Sequence, residues 1–147
     1  MALQYNLAKV YEISENDIEF ALQIVTLFLE EVPAEIKSIK DAIAEKDYTR
    51  TYSSCHKIKP TLDLLGMDMA YEENIQIMTW AKAEGKRKEI KEVFKSLKDR
   101  IDLAVKEIKK DFKLRVYFFY IEQKLFAVTD IRAKTYFYPN VKVFYLF

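Results

Sequence analysis

The chain has 147 residues, 50% of them hydrophobic and 32% charged, with a formal net charge of +1. That length supports one domain with a real core, and the balanced charge offers no bulk field for nucleic acid or for a membrane surface. The single cysteine excludes an internal disulfide and suits a reducing compartment; with no basic-apolar leader and no run of about 18 uncharged apolar residues, a soluble cytoplasmic protein without membrane or nucleic-acid partners is expected.

The only glycines are Gly66 and Gly85, so long uninterrupted elements are expected. Residues 1–12 carry Leu3, Leu7 and Val10 at helical spacing and predict a short helix across one end of a bundle. Ser14, Asn16 or Asp17 can cap the next helix, about 17–45. Its apolar stripe reads Phe20, Ile24, Leu27, Phe28, Val32, Ile36, Ile39 and Ile43, with Pro33 predicting a bend within one helix. Asp47 can cap a helix over about 48–65, which Gly66 closes. Asp68 can cap a third long helix, about 68–84, with Ala70, Ile77, Met78 and Ala81 facing the core. Trp80 is expected at the core edge with its indole N–H near water, and Gly85 is expected to end the helix. A fourth, about 87–112, carries Ile90, Val93, Phe94, Leu97, Ile101, Ala104, Val105 and Ile108. Four amphipathic helices with short connections predict an all-α, antiparallel up-down four-helix bundle with a short N-terminal helix, over 1–112.

From about Lys113 the composition changes. Residues 113–147 hold eleven of the 21 aromatic residues. Aromatic and β-branched enrichment favours strands, with Tyr138-Pro139-Asn140 as a turn. A small β appendage, a dimerising segment and a read-through extension all fit this composition, and the last helix can also run on past 112.

The stretch Tyr52-Ser53-Ser54-Cys55-His56-Lys57-Ile58-Lys59-Pro60-Thr61-Leu62-Asp63-Leu64-Leu65-Gly66 holds the one histidine of the chain. Cys55, Ile58, Leu62 and Leu65 make one apolar helical stripe. His56 is turned about 100° from Cys55, toward solvent, and Lys59 lies about one turn further on. An imidazole with a cation beside it on a rigid helix suits phosphoryl chemistry, because a neutral ring nitrogen is a nucleophile and the cation offsets phosphate charge. Taken alone, a helical His is more often an incidental surface residue and a Lys a solvated cation. Cys55 reads as a small core residue, since a Cys-His nucleophile pair needs opposed side chains. One His and one Cys, without a Glu-x-x-His pair, give no metal set.

Cys55-His56-Lys57-Ile58-Lys59 followed by Leu65-Gly66 resembles the signature of histidine-containing phosphotransfer (HPt) domains, and Phe28-Leu29-Glu30-Glu31-Val32-Pro33 looks like the first long helix of that family. The resemblance covers about residues 1–112. It implies a phosphorelay carrier of two-component signalling with His56 as phosphoacceptor and Lys59 stabilising phosphate charge. The implied partners are a response-regulator receiver domain and a sensor histidine kinase. The carrier would need no cofactor of its own, since aspartate and magnesium come with the receiver, and no Gly-rich loop marks an ATP site. Pro60 stands where the family usually has Gly, at a position a partner approaches. Helical geometry adds Tyr52, Lys57 and Asp63 to the expected docking surface. The rival reading is a helical adaptor that binds a receiver or partner helix without carrying phosphate; burial of His56 would favour it.

Overall fold

A computed structural model describes residues 4–112. Among them five helices occur and no strand: α1 Ala8–Ile13, α2 Ile18–Glu45, α3 Tyr48–Leu64, α4 Asp68–Lys82 and α5 Arg87–Asp111. The readings placed on residues 113–147, the β appendage among them, lie outside the described residues. Contacts divide the chain between Glu107 and Ile108, within α5. The bundle belongs to the N-terminal unit. The described residues of the second unit are Ile108–Phe112, of which Ile108 and Phe112 are buried.

Helix starts follow local chemistry. Asp17 caps α2 by accepting from the backbone N–H of Glu19 at 2.8 Å and of Phe20 at 3.3 Å, and Asp47 caps α3 through Arg50 N–H at 3.0 Å. Asp68 departs from expectation. It is the first helical residue of α4, Met67 occupies the cap position, and no side chain caps it. The Asp68 carboxylate instead sits in the first turn, where the helix dipole favours negative charge.

Three helices close in the same way, with a left-handed residue after the last turn and a six-to-one backbone bond. After α3 the left-handed residue is Gly66 (φ +61°), with Met67 N–H donating to Leu62 at 3.0 Å. After α2 it is Lys46 (φ +57°), and after α4 it is Glu84 (φ +50°). Gly85 therefore does not supply the left-handed turn expected of it. Its lack of a side chain makes room for the Trp80 ring, which a Cβ there would overlap. Trp80 itself is buried rather than wet, with its indole N–H donating to the Lys86 carbonyl at 3.0 Å and its ring tilted against Tyr48.

The core is built from Leu22, Val25, Phe28 and Ile39 of α2, Cys55, Ile58 and Leu62 of α3, Ile77 of α4, and Leu97, Ile101 and Ala104 of α5. On α2 the expected stripe holds from Phe28 onward. Before it, the inward face is Ala21, Leu22 and Val25, while Phe20 and Ile24 are half-buried and Leu27 is 39% exposed. The two i+3 series overlap on a helix this apolar, and packing selected the one through Leu22. Pro33 and Pro60 both lie inside continuous helices. The helix α3 packs between α2 and α4. Glu73 ties α5 to α4, accepting from Arg100 at 2.9 Å and from the Ser96 hydroxyl at 2.5 Å.

The N-terminal segment crosses the end of the bundle where α3 stops. Asn6 N–H donates to the Leu65 carbonyl at 2.7 Å, and a side chain at Gly66 would come within 2.9 Å of the Asn6 Cβ. Lys9 on α1 pairs with Asp63 near the end of α3 at 2.7 Å. The backbone conformation and the close crossing both require glycine at 66.

Candidate functional site

The middle of α3 presents His56 to solvent. Its inward face is set by Thr51, Ser54, Cys55, Ile58 and Leu62, all buried. At about 100° per residue, positions 53, 56, 60 and 63 point away from that face and 52 lies at its edge; 52, 56, 60 and 63 follow one another at four- and three-residue steps as a row along the helix. His56 is the centre of this row, Pro60 and Asp63 are exposed along it, and Tyr52 is half-buried at its lower end. Lys57 and Lys59 fall on opposite flanks, toward α2 and α4 respectively.

Each flank is fixed by a cross-helix contact. On the α2 side, Lys57 Nζ donates to Glu35 Oε1 at 2.9 Å. Burial works to raise the Glu35 pKa, but hydrogen bonds from Lys57 and Ser54 outweigh it and hold the carboxyl below its usual range. Beside this pair runs a polar groove of about 440 Å³ lined by residues that include Glu35, Ser38, Arg50 and Ser54. Arg50 donates to Ser38 at 3.3 Å and to Glu45 at 3.1 Å. The groove carries a closed set of hydrogen bonds between α2 and α3.

On the α4 side, Lys59 is half-buried and its Nζ lies 5.9 Å from the centre of the Tyr71 ring. Lys82, in the last turn of α4, places its Nζ 5.0 Å from the centre of the Tyr52 ring. Tyr52 in turn stacks on His56, with ring centroids 6.1 Å apart and planes 27° apart. Among the described residues no side chain hydrogen-bonds the imidazole, which is exposed.

Beneath the row, Cys55 is buried and its thiol is pushed up to about 12 by desolvation, with the Glu35 charge adding to the effect. A thiol so held is a core group and not a nucleophile. Asn74 of α4 is fully buried and donates from Nδ2 to the Cys55 carbonyl at 2.9 Å. Pro60 cannot donate to the His56 carbonyl four residues back, so the turn bearing His56 lacks one ordinary helix bond while its neighbour gains a bond from another helix.

At the far end of the row, Asp63 is held by Lys9, whose pKa is raised by that hydrogen bond. Both partners are largely exposed, so the pair orders the surface more than it stabilises the fold.

The sequence residues Tyr52, His56, Lys57, Lys59, Pro60 and Asp63 thus all lie on the outer half of α3, with His56 central. The residues missed by sequence reasoning are Tyr71, Asn74 and Lys82 of α4 and Lys9 of α1. The contacts of Tyr71, Lys82 and Lys9 depend on helix register, which no local spacing reports. Among the described residues, no group of three or more His, Cys, Asp or Glu side chains could hold a metal ion, and no helix is long and apolar enough to cross a membrane.

No family model matches the sequence, and no curated protein matches it. A solved structure is similar: the HPt domain of a sensor hybrid histidine kinase from Shewanella, at 15% sequence identity with a TM-score of 0.66. The match covers 75% of this chain and 94% of the Shewanella chain. That extent leaves little of the Shewanella domain without a counterpart, and the helical bundle described above has the fold of an HPt domain.

Proposed function

We propose that this protein is a phosphorelay carrier that accepts a phosphoryl group on His56 from a receiver-domain aspartate and passes it to another response regulator. The observation that carries the reading is the exposure of the chain's one imidazole at the middle of a helix in an HPt-like bundle. Burial of His56 would have favoured the adaptor reading, and His56 is exposed.

In the reaction, the lone pair of one ring nitrogen attacks the phosphorus of the aspartyl phosphate. A P–N bond forms, the P–O bond to the aspartate breaks, the carboxylate leaves, and the ring proton passes to solvent. Transfer of this kind asks for positioning and charge stabilisation. Lys59, one helical turn from His56, would swing from Tyr71 to the phosphate oxygens once they arrive. Magnesium would come with the receiver. Tyr52, Lys57, Pro60 and Asp63 would meet the receiver around the histidine. The neighbour's source in a sensor hybrid histidine kinase supports a partner of the sensor kinase and receiver type. The reading is tested by incubating the full chain with a phosphorylated receiver and assaying for acid-labile, base-stable phosphate.

A further inference from the structure

Two helices converge on the imidazole through a single tyrosine. Tyr52 and His56 are four residues apart on α3, the spacing that brings side chains face to face on a helix. Their rings lie 6.1 Å apart and within 27° of parallel, inside the range of offset stacking. Lys82 comes from the end of α4, thirty residues beyond Tyr52, and sets its ammonium 5.0 Å from the centre of the tyrosine ring, within cation–π range. The last turn of α4 also favours a cation there. Tyr52 is half-buried and Lys82 is exposed, so the tyrosine has little freedom while its outer cation is free to pin it.

We propose that Tyr52 and Lys82 are a positioning pair for His56. Lys82 fixes the Tyr52 ring from α4, and Tyr52 fixes the plane of the imidazole, so that one ring nitrogen faces the incoming phosphodonor. The inference rests on the carrier reading and adds two positioning residues to it. Lys82 acts through Tyr52 and does not itself touch phosphate. On the α4 side of His56 the work is then divided: Lys59 meets phosphate charge and Tyr52–Lys82 holds the ring.

Positioning is separable from docking by a small phosphodonor. With phosphoramidate, the donor P–N bond breaks, a P–N bond to the imidazole forms, and the nitrogen leaves as ammonia, which takes the ring proton. No receiver surface takes part. Because the chain has one histidine, its imidazole C–H signals in NMR report on His56 alone. In the full chain, Tyr52→Leu should remove the ring-current shift of these signals and slow phosphoramidate uptake roughly tenfold, the scale of a modest loss of orientation. Tyr52→Phe, which keeps a stacking ring, should recover both. Lys82→Gln should slow uptake about threefold in the parent and not at all in the Tyr52→Leu background, since residues acting through one another are not additive. Imidazole signals unmoved by Tyr52→Leu, unchanged uptake, or an equal effect of Lys82→Gln in both backgrounds would overturn the inference while leaving the carrier reading intact. A parent protein that takes no phosphate on His56 from phosphoramidate or from a phosphorylated receiver would overturn the carrier reading, and the inference with it.

Discussion

The side-chain amide of Asn74, fully buried on α4, donates to the backbone carbonyl of Cys55, the residue immediately before His56 on α3, at 2.9 Å. Its own carbonyl oxygen, Oδ1, is buried without a hydrogen-bond partner among the described residues. A polar group held at that cost, in the interface between the two helices that form the site, fixes their register beside the histidine.

Asn74→Asp tests this contact through its pH dependence. The buried carboxyl would have a folded pKa raised above its unfolded value of about 3.9, because desolvation disfavours its charge. A raised folded pKa contributes stability that is present below the unfolded value and lost as pH rises. Protonated, the carboxyl can also donate to the Cys55 carbonyl. The variant should lose about 3 kcal/mol at pH 7, the scale of an uncompensated buried charge, and considerably less at pH 4. Urea unfolding of variant and parent at both pH values checks it; an equal loss at both would contradict the burial of this site.

Cys55 gives a second pH-dependent signature, at the alkaline end. Burial pushes its folded pKa up to about 12, above the ordinary thiol value of 9.0, so the thiol contributes stability that is full below about pH 9 and lost as pH rises toward 12. Cys55→Ala should flatten the alkaline fall in stability relative to the parent. In the folded parent the thiol should react with a disulfide reagent only as fast as the bundle opens. Rapid labelling under native conditions would place Cys55 at the surface.

Much of this architecture was legible. The i, i+3, i+4 spacing of Cys55, Ile58, Leu62 and Leu65 fixed the inward face of α3 and so put His56 outward, and Asp17 and Asp47 announced helix starts by their cap chemistry. The α2 stripe was misread before Phe28 because a run this rich in apolar residues offers two faces, and only packing chooses between them. The left-handed conformations of Lys46 and Glu84 gave no signal, since neither residue type favours such a backbone. Asn74 did leave a trace: it interrupts the core row Ala70, Ile77 and Ala81 at the position a hydrophobic residue would fill. Tyr71, Lys82 and Lys9 left none, because each meets its partner across helices.

Pro60→Gly should preserve phosphate acceptance. Pro60 is exposed, and the substitution restores a backbone donor for the His56 carbonyl, while glycine costs about 1 kcal/mol of helix propensity relative to Ala. Thermal melting should therefore show only a small change in either direction. A folded Pro60→Gly protein that takes up no phosphate would make the missing helix bond a requirement of the site.

Lys59→Ala should slow transfer from a phosphorylated receiver without abolishing it. In the proposed carrier the lysine would meet phosphate charge and form no bond to phosphorus, so its loss should cost a few kcal/mol of barrier at most, or roughly ten- to a hundredfold in rate. Receiver binding should be nearly unchanged, since a single surface cation contributes little net affinity. Stopped-flow transfer and equilibrium binding, measured together, separate the two effects. Slowing to the background of a His56 variant would mean that Lys59 is required to form the site.

The central claim is that His56 carries the phosphoryl group. Its most direct measurement is phosphate uptake from a phosphorylated receiver by the parent and by His56→Gln at matched helicity. Gln is a good helix former, and a substitution at an exposed site usually costs less than about 0.5 kcal/mol, so the variant should fold as the parent does. One acid-labile, base-stable phosphate is expected on the parent and none on His56→Gln; undiminished uptake by the folded variant would show that His56 does not carry the phosphoryl group.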